Sequence, residues 1–263
     1  MRGENMIVET RGNVLLIGLN RPKKMNALTL DMFYDLASAV GKLDANKDLR
    51  CGLLYAVGNN FTGGLDLPEW GPVFKNNSRS KNMTPDMIDP YGLLEEQRCR
   101  KPIVMACQGI CYTFGIELLL ACDVRVAASD LRLGQLEVKR GIFPIGGATI
   151  RMFREIGWGN AMRYILTGEE MSGAEAYRLG LVQELVEPGQ QFDRALEIAE
   201  SIAKASPLGV QAALASSRKA RDYGDLAASS TLREDIRPLM DSQDSKEGLQ
   251  AFLERREPKF TGE

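Results

Sequence analysis

Two hydrophobic periods divide this chain. Short apolar runs of strand length, separated by glycine-rich and polar turns, dominate the first part, whereas apolar residues three and four apart dominate beyond residue 150. Residues 6–10 and 14–19 read as two strands joined by Arg11-Gly12-Asn13, a hairpin signal. Thr29 is placed to cap a helix whose Leu30, Phe33, Leu36, Ala37, Val40 and Leu43 follow a 3.6-residue period. Residues 52–57 form another strand-like run, followed by a turn-rich stretch over 58–67. Residues 72–90 are polar and proline-flanked, which predicts a loop with a lid as one use. A short helix over 91–100 is stopped by Lys101-Pro102, and 103–106 is a buried strand.

The stretch from Gly109 to Cys122 organises the rest. After a short turn, 114–122 is apolar without alternation, which predicts a helix buried on every side. Glu117 nonetheless sits in its first turn. Taking a carboxylate out of water costs several kcal/mol, and the free N–H groups and dipole of a helix N-terminus offset part of that cost. The plain reading is an acid stabilised by the dipole or edging into solvent. Two short strands follow at 124–128 and 131–134, with Glu137 at the end of the second, then the loop Gly141-Ile-Phe-Pro-Ile-Gly-Gly147. Taken alone, Glu137 reads as a strand-end surface acid; strand and loop also allow it to share a cavity with Glu117. Helices are predicted at 161–166, 173–179, 192–205, 208–221, 226–240 and 243–256, with one brief extended piece around Val182. Strands interleaved with helices, then helices alone, predict an α/β core over 1–200 and a helical region over 201–263 suited to subunit contact.

Composition narrows the chemistry. At 263 residues, with 44% hydrophobic and 26% charged positions, the chain is an ordinary globular protein. A formal net charge of -2 argues against nucleic acid and acidic membranes as partners. The absence of histidine excludes Ser-His and Cys-His nucleophiles and the usual zinc sites, so no metal is expected. Five cysteines in mostly apolar runs read as reduced core residues of a cytoplasmic protein; no run reaches membrane-spanning length. Two glycine turns, Phe61-Thr-Gly-Gly-Leu65-Asp and Tyr112-Thr-Phe-Gly115, place backbone N–H groups ahead of a following element. Paired donors of this kind suit an anion or a developing oxyanion. Neither has the spacing of a nucleotide loop.

In combination these features resemble the crotonase superfamily, the enoyl-CoA hydratase/isomerase group, over nearly the full length. The matching stretches begin with Asn20-Arg-Pro-Lys-Lys-Met-Asn-Ala-Leu28, Asn60-Phe-Thr-Gly-Gly-Leu-Asp-Leu67 and Lys101-Pro-Ile-Val-Met-Ala-Cys-Gln-Gly109. They continue with Gly115-Ile-Glu-Leu-Leu-Leu-Ala-Cys-Asp123, Leu133-Gly-Gln-Leu-Glu137, the 141–147 loop, Leu166-Thr-Gly168 and a Glu247-Gly-Leu-Gln-Ala-Phe252 ending. The resemblance implies an α/β fold, a crotonase-like ββα spiral core with a C-terminal helical trimerisation region, and assembly as a homotrimer or a dimer of trimers. It implies an acyl-CoA thioester substrate, with coenzyme A part of the substrate and no separate cofactor. The N–H groups of Leu65 and Phe114 would form the oxyanion hole, and Glu117 and Glu137 would be the catalytic pair. One would activate water for attack on C3 while Glu137 delivers a proton to C2, and two acids in a dry pocket would raise each other's pKa. Lys23, Lys24, Ala27, Gly63, Asp66, Leu67, Gly115, Phe143 and Pro144 fall where the family contacts the substrate or CoA. The implied reaction is hydration of a 2-enoyl-CoA. An enoyl-CoA isomerase, another acyl-CoA lyase or decarboxylase, and a non-catalytic RNA-binding member are the alternatives. Two departures stand out: Thr113-Phe114-Gly115 replaces the family's Gly-Gly-Gly, and Ile145 follows Pro144. A backbone N–H survives any non-proline substitution, but the Phe114 ring must find a place.

Overall fold

The computed structural model describes residues 4–76 and 83–263. A hairpin of β1 (Met6–Arg11) and β2 (Val14–Leu19) opens the chain, and α1 (Leu30–Ala45) follows, with Thr29 accepting the Met32 N–H as its cap. Then come β3 (Cys51–Ala56), α2 (Leu67–Asn76), β4 (Ile103–Cys107), β5 (Ile110–Tyr112), α3 (Phe114–Ala121), β6 (Val124–Ala128) and β7 (Arg132–Gly134). The remainder runs through α4 (Ala148–Ile156), α5 (Trp158–Thr167), β8 (Glu170–Ser172), α6 (Gly173–Arg178), β9 (Glu184–Val186) and α7 (Gln191–Lys204). Four further helices close it: α8 (Pro207–Tyr223), α9 (Asp225–Ser229), α10 (Leu232–Met240) and α11 (Gln243–Glu254).

The strands form two sheets. The larger has the order β1-β2-β3-β4-β6-β9, parallel except for the β1–β2 hairpin; the smaller has the order β5-β7-β8, parallel between β5 and β7 and antiparallel between β7 and β8. Period-two alternation divides the inner strands between two cores. Leu15, Ile17, Leu54, Met105 and Cys107 join the side chains of α1 and α3 in one cluster. Val14, Leu16, Leu53, Val104, Ala106 and Val126 pack on Ala195, Leu196, Ala199 and Ala203 of α7 in the other. A parallel sheet covered on both faces needs continuous apolar strands, which is why these runs carry so few polar residues.

Three predicted elements differ. Residues 67–76 are helical, so the predicted 72–90 loop loses its first five residues to α2, because Trp70 is buried and its indole N–H donates to the Leu28 carbonyl at 2.9 Å. Of the predicted lid, 77–82 lie outside the described residues. The helix predicted over 91–100 shrinks to a 3-10 turn at Glu95–Gln97. Gly92 is left-handed at φ +51°, and Arg151 takes the carbonyls of Tyr91 and Gly92 at 2.6 Å each, so those carbonyls cannot start an α-helix. The helix predicted over 226–240 is two, separated at Ser230 and Thr231. The short strands β5 and β8 had no distinct sequence signal.

Candidate active site

The site is assembled where two glycine turns meet. Thr62 of the first turn donates its N–H to the Ile110 carbonyl, and its own carbonyl accepts the Tyr112 N–H, both at 3.0 Å. These bonds stitch the turn after β3 to β5, which leads into α3. Gly64 is left-handed at φ +107°, and a Cβ on it would collide with Thr113 Oγ1, so the two turns are in direct contact. Leu65 lies between two backbone bonds, Leu28 N–H to the Gly64 carbonyl and Asp66 N–H to the Leu28 carbonyl, each 2.9 Å. The N–H groups of Leu65 and Phe114 have no acceptor among the described residues. Both residues line the same cavity, of about 560 Å³.

Glu117 and Glu137 line that cavity too, and both are buried. Glu117 Oε1 accepts the Gly146 N–H at 2.5 Å and the Ala148 N–H at 3.5 Å, so the 141–147 loop and the start of α4 hold it in place. Its position in the first turn of α3 adds that helix's positive end. Glu137 is not at a strand end. It opens a 3-10 turn, Glu137–Arg140, three residues beyond β7, and this turn swings the side chain inward. Its Oε2 is buried without a hydrogen-bond partner among the described residues. Burial pushes the Glu137 carboxyl up to about 6, against the opposing effects of its own backbone and the Arg140 charge. The cause is therefore desolvation; mutual repulsion with Glu117, the expected origin, is not among the effects resolved for Glu137.

The Phe114 ring is buried edge-on to Tyr91, centroids 5.4 Å apart, and both rings line the cavity. Tyr91 in turn lies 6.1 Å from Phe33 of α1. The ring that replaces a glycine thus forms part of the cavity's inner wall rather than crossing its mouth.

Of the other predicted contacts, Gly63, Leu67 and Phe143 line the cavity. Lys23 and Lys24 sit exposed on the 3-10 turn Pro22–Lys24. That loop is fixed to the site: the Gly63 N–H donates to the Met25 carbonyl at 2.7 Å, and Arg21 pairs with Asp66 at 2.8 Å while donating to the Ala27 carbonyl. Ala27 and Asp66 therefore support the turn from outside the cavity. Two expectations need correction. Gly115 faces the protein interior, where a Cβ would meet Thr62 and Cys111, so its smallness serves packing. Pro144 is buried within its loop and does not reach the cavity wall.

The sequence reading missed Tyr91, Val73, Phe74, Thr113, Arg140, Ile142 and Ile145 as wall residues. Phe74 fell in the predicted 72–90 loop, and Tyr91 at the start of a predicted helix that does not form. It also assigned no role to Asn26, which is fully buried and left-handed at φ +49°. Its side-chain amide donates to the carbonyls of Val57 and Asn60 and accepts the Arg21 N–H, clamping the 20–28 loop to the turn after β3.

An α/β core with two sheets, a C-terminal run of helices, and a cavity holding paired N–H groups beside buried carboxylates is the crotonase-type architecture. Residues 9–263 match the family model described as enoyl-CoA hydratase/isomerase, and the chain belongs to that family, within the crotonase superfamily. It is 35% identical to an enoyl-CoA hydratase of Mycobacterium tuberculosis, covering 98% of this chain and 97% of the relative. It is 34% identical to the (E)-benzylidenesuccinyl-CoA hydratase of Thauera aromatica, covering 97% and 98%. Among solved structures, a probable enoyl-CoA hydratase/isomerase from Mycobacterium abscessus superposes with a TM-score of 0.93 at 43% identity, covering 99% of each chain. Among the described residues no helix is long and apolar enough to cross a membrane.

Proposed function

We propose that this protein is an enoyl-CoA hydratase that adds water across the 2,3 double bond of a 2-enoyl-CoA. Full-length identity to proteins named as hydratases of CoA thioesters supports the reaction class. The single observation that carries the chemistry is the convergence of Glu117, Glu137 and the unbonded N–H groups of Leu65 and Phe114 on one cavity.

In this reading the thioester oxygen lies against the two N–H groups. They polarise the enoyl system and stabilise the enolate that forms as water attacks C3. Losing one such donor costs about 3–4 kcal/mol in transition-state stabilisation. Glu117, fixed by the Gly146 N–H, orients the water and receives its proton. Glu137, with a carboxyl near 6, retains a proton on a useful fraction of molecules at neutral pH and delivers it to C2. The substrate supplies its own coenzyme A, whose phosphates lie near Lys23 and Lys24. Phe114 and Tyr91 close the acyl end and set the shape of the group accepted.

An isomerase that shuttles one proton would need only Glu137; the dedicated N–H donors on Glu117 favour the two-carboxylate reaction. The C-terminal helices carry exposed apolar side chains, including Leu226, Leu249 and Phe252, which supports assembly into trimers through this region.

The test follows loss of the conjugated enoyl-thioester absorbance with short, medium and aromatic 2-enoyl-CoAs. Hydration by the wild type, with Glu117→Gln and Glu137→Gln each reduced at least 10²-fold, supports the assignment. Tight binding of these thioesters with no hydration of any of them overturns it.

A further inference from the structure

Thr113 occupies the position where two independent pieces of the site touch, and its backbone is strained. Its φ of +50° with ψ of -108° is a conformation that a β-branched residue rarely adopts. Three backbone bonds impose it: the Thr113 N–H donates to the Gly134 carbonyl at 2.8 Å, and its carbonyl accepts from Ile116 and Glu117 at 3.0 and 3.2 Å. Glycine would adopt this geometry without strain. Strain of this kind persists where the residue serves a site.

The side chain shows what the residue brings. Thr113 directly precedes Phe114, one N–H donor, and its Oγ1 rests on the open face of Gly64, which directly precedes Leu65, the other. The hydroxyl therefore belongs to the residue before one donor and touches the residue before the other. It lines the cavity, has no hydrogen-bond partner among the described residues, and is not among the polar atoms sealed off without one. Gly64 lacks a Cβ and so leaves the hydroxyl its place.

We infer that the Thr113 hydroxyl is a third donor to the thioester oxygen, added to the two backbone N–H groups, and strengthens as the oxygen gains charge. This rests on the CoA-thioester reading of the cavity. No proton is transferred: the O–H hydrogen bond shortens onto the enolate oxygen and relaxes when C2 is protonated. A hydroxyl directs its hydrogen by rotation, so it can follow the oxygen as the carbonyl lengthens into an enolate, which fixed N–H groups cannot do.

The test compares Thr113→Val, which keeps the branched shape, with Thr113→Ser and Thr113→Gly. The first readout is the infrared carbonyl stretch of bound butyryl-CoA labelled with carbon-13 at the thioester, a saturated ligand that cannot be hydrated. The second is kcat and KM for hydration, with melting temperature as a control. The expected result is a carbonyl stretch at lower frequency in wild type and Thr113→Ser than in the Val and Gly variants. It is joined by a loss of about tenfold or more in kcat for Val and Gly, with KM little changed. Thr113→Gly, relieved of strain, melts no lower than wild type, so its loss is not one of folding. A Val variant with wild-type stretch and kcat overturns the inference. A Thr113-dependent stretch without hydration of any enoyl-CoA upholds the donor and overturns the hydratase reading instead. Failure of the wild type to bind butyryl-CoA overturns both.

Discussion

The Gly146 N–H donates to Glu117 Oε1 at 2.5 Å, and the same glycine has no room for a Cβ, which would run into the Tyr91 ring and lie 2.5 Å from Glu117 Oε2. Loop, carboxylate and acyl wall therefore meet at one Cα. Because Gly146 φ is ordinary, the requirement is one of space rather than of backbone freedom. Gly146→Ala is expected to displace Glu117 or Tyr91 and to lower hydration at least 10²-fold, in line with misplacement of a catalytic group. It should destabilise the fold by about 1–3 kcal/mol, as overpacking does. Steady-state kinetics beside a denaturant melt checks this; an alanine variant with wild-type turnover would refute the tight packing.

Glu137 makes activity depend on pH. As the proton donor to C2 it must be protonated, so kcat/KM for hydration should fall about tenfold per pH unit above roughly 6. Dehydration of the 3-hydroxyacyl-CoA starts from the form with the proton on Glu117 and the carboxylate on Glu137, which carries the same total number of protons, so its kcat/KM should fall along the same profile. Initial rates in both directions between pH 5 and 9 decide it. A hydration profile flat through 6 to 8 would remove Glu137 from the acid role.

The same group should cost stability. Its carboxyl titrates near 4.5 when unfolded and about 6 when folded, so the folded state holds more protons between those values. Stability falls as pH rises through that window, and above it the penalty is complete, about 2 kcal/mol as an order of magnitude. Glu137→Gln is therefore expected to be more stable than wild type at pH 7.5, with the difference shrinking below pH 5. Urea melts at the two pH values test it, and a variant equally or less stable at pH 7.5 contradicts it.

Phe114 sets the acyl end. Phe114→Leu keeps the N–H and the apolar contact but withdraws the ring edge from Tyr91. It should shift preference toward bulkier enoyl groups, with a stability loss of roughly 1–3 kcal/mol. The ratio of kcat/KM for an aromatic over a four-carbon enoyl-CoA reads this out, and an unchanged ratio would place the acyl group elsewhere.

All five cysteines are buried and unpaired. Burial pushes the thiols of Cys51, Cys99 and Cys107 up to about 12 and raises Cys111 and Cys122 as well. The native protein should resist an aromatic disulfide reagent at pH 8, and all five should react after denaturation. Rapid labelling of the native fold would disprove it.

Much was legible along the chain because it is local. The strand periods of β2, β3 and β4, the Thr29 cap and the buried character of α3 follow from residues within a few positions of one another. The glycine turns and the two glutamates were also visible as residue types in order. What the linear pattern could not provide is which groups meet across long sequence separations. Trp70 makes 67–76 helical by burying against Leu28, Arg151 unwinds 91–92 by claiming two carbonyls, and the turn after β7 carries Glu137 inward. Burial then raises its pKa, where neighbouring charge had been the expected cause. The contact of Thr113 with Gly64, 49 residues away, is of the same kind. Periodicity and turn chemistry are short-range and so can be read from sequence; cavities, desolvation and donor convergence arise from packing between distant segments, and only the tertiary structure decides them.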